Sequence, residues 1–130
     1  MMSTKKCITT TSGPKPIGPY SSAVQAGPLL FISGQGSIDA ETGQLMPGDI
    51  ESETNRTLHN LQLVLEDAGS SLNDVVSVTV FLRDMSNFKP MNDIYQRYFQ
   101  KDPPSRTCVG VADLPGGFQI EINAIAYKPV

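Results

Sequence analysis

The chain has 130 residues, 39% of them hydrophobic and 18% charged, which suffices for one domain with a substantial core and excludes a disordered protein. Its net charge of −3, with no basic cluster beyond Lys5-Lys6, argues against nucleic acid as a partner. No apolar run approaches the ~18 residues of a membrane span, and residues 1 to 11 lack the apolar segment of a secretory signal, so the cytoplasm is the expected compartment.

Residues 1 to 5 are expected to fray, and the Thr-rich stretch Cys7 to Thr11 predicts a short strand at a sheet edge. The segment Gly13-Pro14-Lys15-Pro16-Ile17-Gly18-Pro19 cannot be regular structure, because its prolines lack N–H donors and fix φ. This stiff turn delivers Tyr20, whose hydroxyl either projects into a cleft or packs on the surface. Tyr20 to Gln25 reads as a strand and Gly27-Pro28 as a tight turn. The apolar run Leu29 to Ile32 predicts a strand buried on both faces. It ends in Ser33-Gly34-Gln35-Gly36. Small residues here either let a ligand reach the backbone, with the Gly34 N–H open to an anion, or mark a β-bulge.

Ser37 to Gly48 is a polar turn region with a hairpin tip at Glu41-Thr42-Gly43. A helix is predicted from Ile50 to Ala68, with Asp49 as N-cap, Glu51 and Glu53 suiting its positive start, and Gly69 as its stop. Leu58, Leu61, Leu65 and Ala68 form its apolar stripe with Val64 beside it, while Arg56 and His59 fall off the stripe. Val75 to Arg83 is the clearest strand, with Val76, Val78, Val80 and Leu82 on one side. A second helix is predicted from Asn87 to Gln100, with Ser86 as N-cap and Pro90 in its first turn. Phe88, Met91, Ile94 or Tyr95, and Tyr98 face inward. Asn92 lies near that stripe, so it either ties down backbone or faces a pocket.

Two further strands, Thr107 to Ala112 and Gln119 to Tyr127, flank a turn at Pro115-Gly116-Gly117. Arg106 opens the first and Glu121 lies in the second. A lone charge in a sheet needs a partner, a ligand or water. Two readings follow. One is a structural ion pair between neighbouring strands; the other is a site in which the guanidinium grips a carboxylic acid and the carboxylate orients a water. Cys108 shares the Arg106 strand face and reads as a small buried cysteine. With Cys7 far away in sequence no disulfide framework is expected, and His59 as the sole histidine leaves no zinc site and no Ser-His-Asp arrangement.

The element order is thus β-β-β-α-β-α-β-β, an α+β fold with a five- or six-stranded mixed sheet and two helices on one face. Phe81, Ile125 and Val109 or Val111 remain for the opposite face. That surplus predicts self-association, with clefts between the subunits of a symmetric ring.

Six pieces, in order, carry a resemblance: IGPYSSAV (17–24), FISGQ (31–35), TVFLRDMSNF (79–88), MNDIYQRYF (91–99), PSRTCVGVADLP (104–115) and IEINAIAY (120–127). Together they resemble the RidA/YjgF family, also known as the endoribonuclease L-PSP family. The resemblance implies a single chorismate-mutase-like domain over residues 1–130, a homotrimer with three interface clefts, and no cofactor. It also implies an enamine/imine deaminase that turns 2-iminobutanoate or 2-iminopropanoate, released by pyridoxal-phosphate enzymes, into a 2-oxo acid and ammonia. Within that resemblance, Arg106 matches the arginine that clamps the substrate carboxylate and Glu121 the glutamate that orients the hydrolytic water. Tyr20, Ser33, Gly34, Asn92 and Cys108 match positions lining the cleft. Two other activities are open for the family's architecture: RNA cleavage with inhibition of translation, and acid binding without turnover. The missing basic footprint counts against RNA. The short Lys101 to Pro104 loop and the Gly116-Gly117-Phe118 turn depart from the family pattern and bear on substrate range.

Overall fold

A computed structural model describes residues 5–128, so the fraying expected for residues 1 to 4 lies outside the described residues. The strands are β1 (Lys6–Ile8), β2 (Ala23–Ala26), β3 (Leu29–Gln35), β4 (Val75–Leu82), β5 (Ser105–Gly110) and β6 (Ile120–Tyr127). The helices are α1 (Ile50–Asp67), between β3 and β4, and α2 (Phe88–Tyr98), between β4 and β5. One sheet has the order β1-β2-β3-β6-β4-β5. All its neighbours run antiparallel except β4 and β5, the pair that α2 bridges, as a parallel pair requires a crossover.

The helix ends follow their sequence signals. Asp49 accepts from the Ser52 N–H at 2.7 Å and starts α1. At the other end Gly69 takes φ 82°, the Gly69 N–H bonds Glu66 O, and the Ser70 N–H bonds Leu65 O. That double bond pattern is a Schellman stop, which a β-carbon at Gly69 would strain. Leu58, Leu61, Val64 and Leu65 of α1 and Met91 and Tyr95 of α2 pack on one face of the sheet. There they meet Leu30, Ile32, Val78, Val80, Leu82, Ile120, Ile122 and Ala124. Burying a side chain of this size contributes roughly 1.5–3 kcal/mol, so this layer dominates the stability.

Glu53 has a second role beyond complementing the helix start. It is fully buried; Oε2 accepts the Gly48 N–H at 3.0 Å and Oε1 the Gln119 N–H at 2.9 Å. One carboxylate thereby fastens the entry to α1 to the entry to β6.

Four local expectations change. Val76 is exposed, because the β4–β6 register shifts between Val75 and Ser77 and puts Val75 inward instead. The N-cap of α2 is Asn87, not Ser86; Asp84 bonds the Ser86 N–H and forms a separate 3-10 turn first. β1 ends at Ile8, because Thr10, Thr11 and Ser12 leave the sheet edge to bond Asp67. Finally, β3 is buried on one face only in the single chain. Leu30 and Ile32 are in the core, whereas Phe31 is 42% exposed on the helix-free face. Phe31 pairs with Ile125, and Phe81, Val109 and Tyr127 share that face.

Candidate active site

The two charged strands are not neighbours. β4 lies between β5 and β6, so the turn at Pro115 does not close a hairpin. Arg106 pairs in register with Val78, whose side chain points to the helices, whereas Glu121 pairs with Phe81 on the helix-free face. Within one chain the two side chains therefore stand on opposite faces of the sheet. The structural ion pair is ruled out.

Each charge sits in its own built half-site. The Arg106 guanidinium lies 4.8 Å from the Tyr95 ring centre and 5.5 Å from that of Phe88, and Nη1 donates to Asn92 Oδ1 at 2.7 Å. All three partners come from α2, at spacings of four and three residues that put them on one helical face. Cation–π stacking and the amide fix the plane of the guanidinium, yet among the described residues no carboxylate meets it. Most of its five donors stay available for a carboxylic acid. Asn92 thus ties down a side chain, which neither sequence reading of it foresaw. Burial pushes the Tyr95 hydroxyl up to about 12, against the opposing pull of Arg106. Cys108 is half-buried next to Arg106 on the same strand face. Burial raises its thiol above the ordinary value and the guanidinium only partly offsets this, so it lacks the character of an activated nucleophile.

Glu121 occupies the other half-site. It lines a cleft of ≈ 500 Å³ with Tyr20, Ser33, Gly34, Ile38 and Phe118 among its walls. The β3–β6 register slips between Ile32 and Gln35, so the bulge reading of Gly34 holds, and its backbone lies flat against the carboxylate. A β-carbon on Gly34 would collide with Glu121 Oε2 and stand 2.8 Å from its carboxyl carbon. Ser33 uses its hydroxyl to bond Ser21 O at 2.6 Å, and Tyr20 uses its own to accept the Ile17 N–H at 3.1 Å. Among the described residues no donor or cation reaches the Glu121 carboxylate, and burial raises its pKa. A raised glutamate is better matched to taking a proton near neutral pH than an ordinary one. A pairing with Arg106 would lower that value, and no such pairing forms within the chain.

The structure thus brings Tyr20, Ser33, Gly34 and Glu121 together, and separately Arg106, Asn92 and Cys108. Sequence reasoning missed Phe118, Ile17, Ile38 and Pro115 as cleft walls and the Phe88–Tyr95 platform under the guanidinium. Only the platform had a legible signal, the 88–92–95 helical spacing. Gly34→Ala is expected to leave the unfolding midpoint within a small shift while cutting any Glu121-dependent turnover by roughly 10-fold or more, because only a long side chain has to give way. Parallel urea titrations and rate measurements check this, and an unaltered rate would contradict the contact's importance.

The geometry defines a small α+β protein with a half-buried arginine on one face of its sheet and a half-buried glutamate in a cleft on the other, neither paired with an opposite charge among the described residues. A family model described as endoribonuclease L-PSP matches residues 10–128. A RutC family protein of Pyrococcus horikoshii is 52% identical over 124 residues, covering 95% of this chain and 98% of the relative. The 2-iminobutanoate/2-iminopropanoate deaminase of Mus musculus is 47% identical over 124 residues, covering 95% of this chain and 92% of that protein. Among solved structures, that of E. coli TdcF with bound serine superposes with a TM-score of 0.90 at 36% identity, covering 95% of this chain and 99% of the other. The chain belongs to the endoribonuclease L-PSP family, the RidA/YjgF family of the sequence resemblance, and has its chorismate-mutase-like fold.

Proposed function

We propose that the protein hydrolyses small 2-imino acids to 2-oxo acids and ammonia, in clefts completed when copies of the chain assemble as a homotrimer. The observation that carries this reading is the separation of Arg106 and Glu121 on opposite faces, each held in place and each lacking a counter-charge. Uncovered apolar residues on the Glu121 face, Phe31 among them, favour a second copy docking there. A rotation about a closed axis then sets one copy's Arg106 edge against the next copy's Glu121 cleft. The relatives named as imine deaminases and the serine-bound structure support a small amino-acid-like ligand.

The chemistry needs little beyond positioning. Arg106, steered by Asn92, takes the substrate carboxylate through parallel hydrogen bonds. Glu121 holds a water against the carbon of the protonated imine and accepts its proton as the C–O bond forms. That proton passes to the nitrogen, the C–N bond breaks as the new hydroxyl gives its proton back to Glu121, and ammonia leaves with the carbonyl remaining and takes up that proton as ammonium. Neither half-site calls for a redox partner. Freshly generated 2-iminobutanoate is expected to release ammonia well above its spontaneous rate when the protein is added. A rate equal to buffer, with 2-oxobutanoate still bound, would replace this reading by acid binding alone.

A further inference from the structure

The segment between β1 and β2 forms a strap that runs along α1 and ends over the Glu121 cleft. Its near end is gripped by one carboxylate. Asp67 Oδ2 accepts from the Thr10 hydroxyl at 2.5 Å and from the N–H groups of Thr11 and Ser12, both at 2.8 Å. Asp67 Oδ1 accepts from the Ser12 hydroxyl at 2.8 Å and, more distantly, from that of Thr11 at 3.4 Å. The site is an unfavourable one for a negative charge. Asp67 is the last residue of α1, at the negative end of the helix dipole, with Glu66 beside it and no basic residue in the last turn. The strap's donors compensate for that placement. Partial burial pushes the Asp67 pKa up, the Thr10, Ser12 and Thr11 donors outweigh it, and the net shift is downward.

From this grip the strap lies flush on the helix. The Gly13 N–H bonds Thr10 Oγ1 at 2.9 Å, and a β-carbon on Gly13 would come within 2.9 Å of Val64 Cγ2. Pro14, Pro16 and Pro19 then stiffen the chain up to Tyr20. The far end is fixed to β3 by Ser33, through its N–H to Ser22 O and its hydroxyl to Ser21 O. Between the two anchors Ile17 and Tyr20 bond only one another and the local turn, and both project over the cleft.

We infer that Asp67 is a positioning residue for the cleft, latching the strap to the end of α1 so that Ile17 and Tyr20 stand as a fixed wall above Glu121. This rests on the deaminase reading for its kinetic consequence but not for its structural one. Asp67→Ala removes every acceptor of the grip, whereas Asp67→Asn keeps an amide oxygen for the Thr10 hydroxyl and the Thr11 and Ser12 N–H groups, turns its NH₂ to the Thr11 and Ser12 hydroxyls, and so loses the charge and only part of the grip. Hydrogen exchange of the amides in residues 10–20 of the assembled protein is expected to accelerate in Asp67→Ala, and less in Asp67→Asn, with β4 and β6 unchanged. KM for 2-iminobutanoate is expected to rise roughly 10-fold with kcat nearly constant, and Asp67→Glu to recover part of the loss. Asp49→Ala, which uncaps the opposite end of the same helix, should lower stability and leave strap exchange and KM where they were. Unchanged strap exchange in Asp67→Ala overturns the latch, and faster exchange with unchanged KM overturns the positioning role. If the wild type binds 2-oxobutanoate without turning over the imine, the deaminase reading fails alone, and the affinity for 2-oxobutanoate takes the place of KM in the same comparison. A wild type that does neither ends the deaminase reading and the positioning role, while strap exchange still decides the latch.

Discussion

Arg106→Ala is expected to lose at least ~10²-fold in imine hydrolysis, Glu121→Ala to lose comparably, and the two inactive chains, unfolded and refolded as an equimolar mixture, to regain activity together. The single losses follow from removing the carboxylate anchor and the group that holds the water. The recovery follows from the placement of the two residues on opposite faces of one sheet. A cleft built from Arg106 of one copy and Glu121 of the next is intact wherever a Glu121→Ala chain happens to supply the arginine and an Arg106→Ala chain the glutamate. Random association in any closed ring makes about one cleft in four of that kind, so about a quarter of wild-type activity should return. Two residues acting within the same chain would give no recovery at all. Persistent inactivity of the mixture, with assembly intact, would therefore refute the shared cleft while leaving the fold untouched.

Glu53→Ala is expected to destabilise the protein by about 3 kcal/mol, read as a lower urea midpoint at unchanged slope. The reason is the asymmetry between a made and an abandoned hydrogen bond. Glu53 is fully buried and both its oxygens receive a backbone N–H, so truncation removes two charge-assisted bonds and leaves the half-buried Gln119 N–H without its acceptor, while the exposed Gly48 can turn to water. Glu53→Gln should cost less, since its amide oxygen can still accept one of the two bonds. Gln119 immediately precedes β6, two residues before Glu121, so loosening there also reaches the cleft. A loss below 1 kcal/mol in Glu53→Ala would mean that the loop at Gly48 finds other acceptors.

Patterns confined to one element were legible in the sequence, and relations between elements were not. Asp49 and Gly69 mark both ends of α1, and the alternation in Ile120 to Tyr127 assigns every β6 side chain to the correct face. Nothing local says that β6 inserts between β3 and β4, and that insertion separates Arg106 from Glu121. The Val76 reversal has the same origin, because a one-residue slip depends on the partner strand. The second role of Glu53 was hidden for a different reason. An acid in a first turn satisfies the dipole argument, yet Glu53, Thr57, Asn60 and Val64 fall on one buried stripe, a periodicity that outranks end effects. The site residues were identifiable as charges needing partners, and the resemblance supplied their roles. Their division into two halves came only with the coordinates.

The strand order has a consequence for synthesis. β6 is the last of the six strands to leave the ribosome, yet it fills the centre of the sheet, so until it arrives β3 and β4 each present a bare, hydrogen-bond-hungry flank. The nascent chain can pair β1 with β2, β2 with β3 and β4 with β5, but it cannot join these two parts into one sheet. It has to wait, adhesive and unfinished, until its final strand slides in.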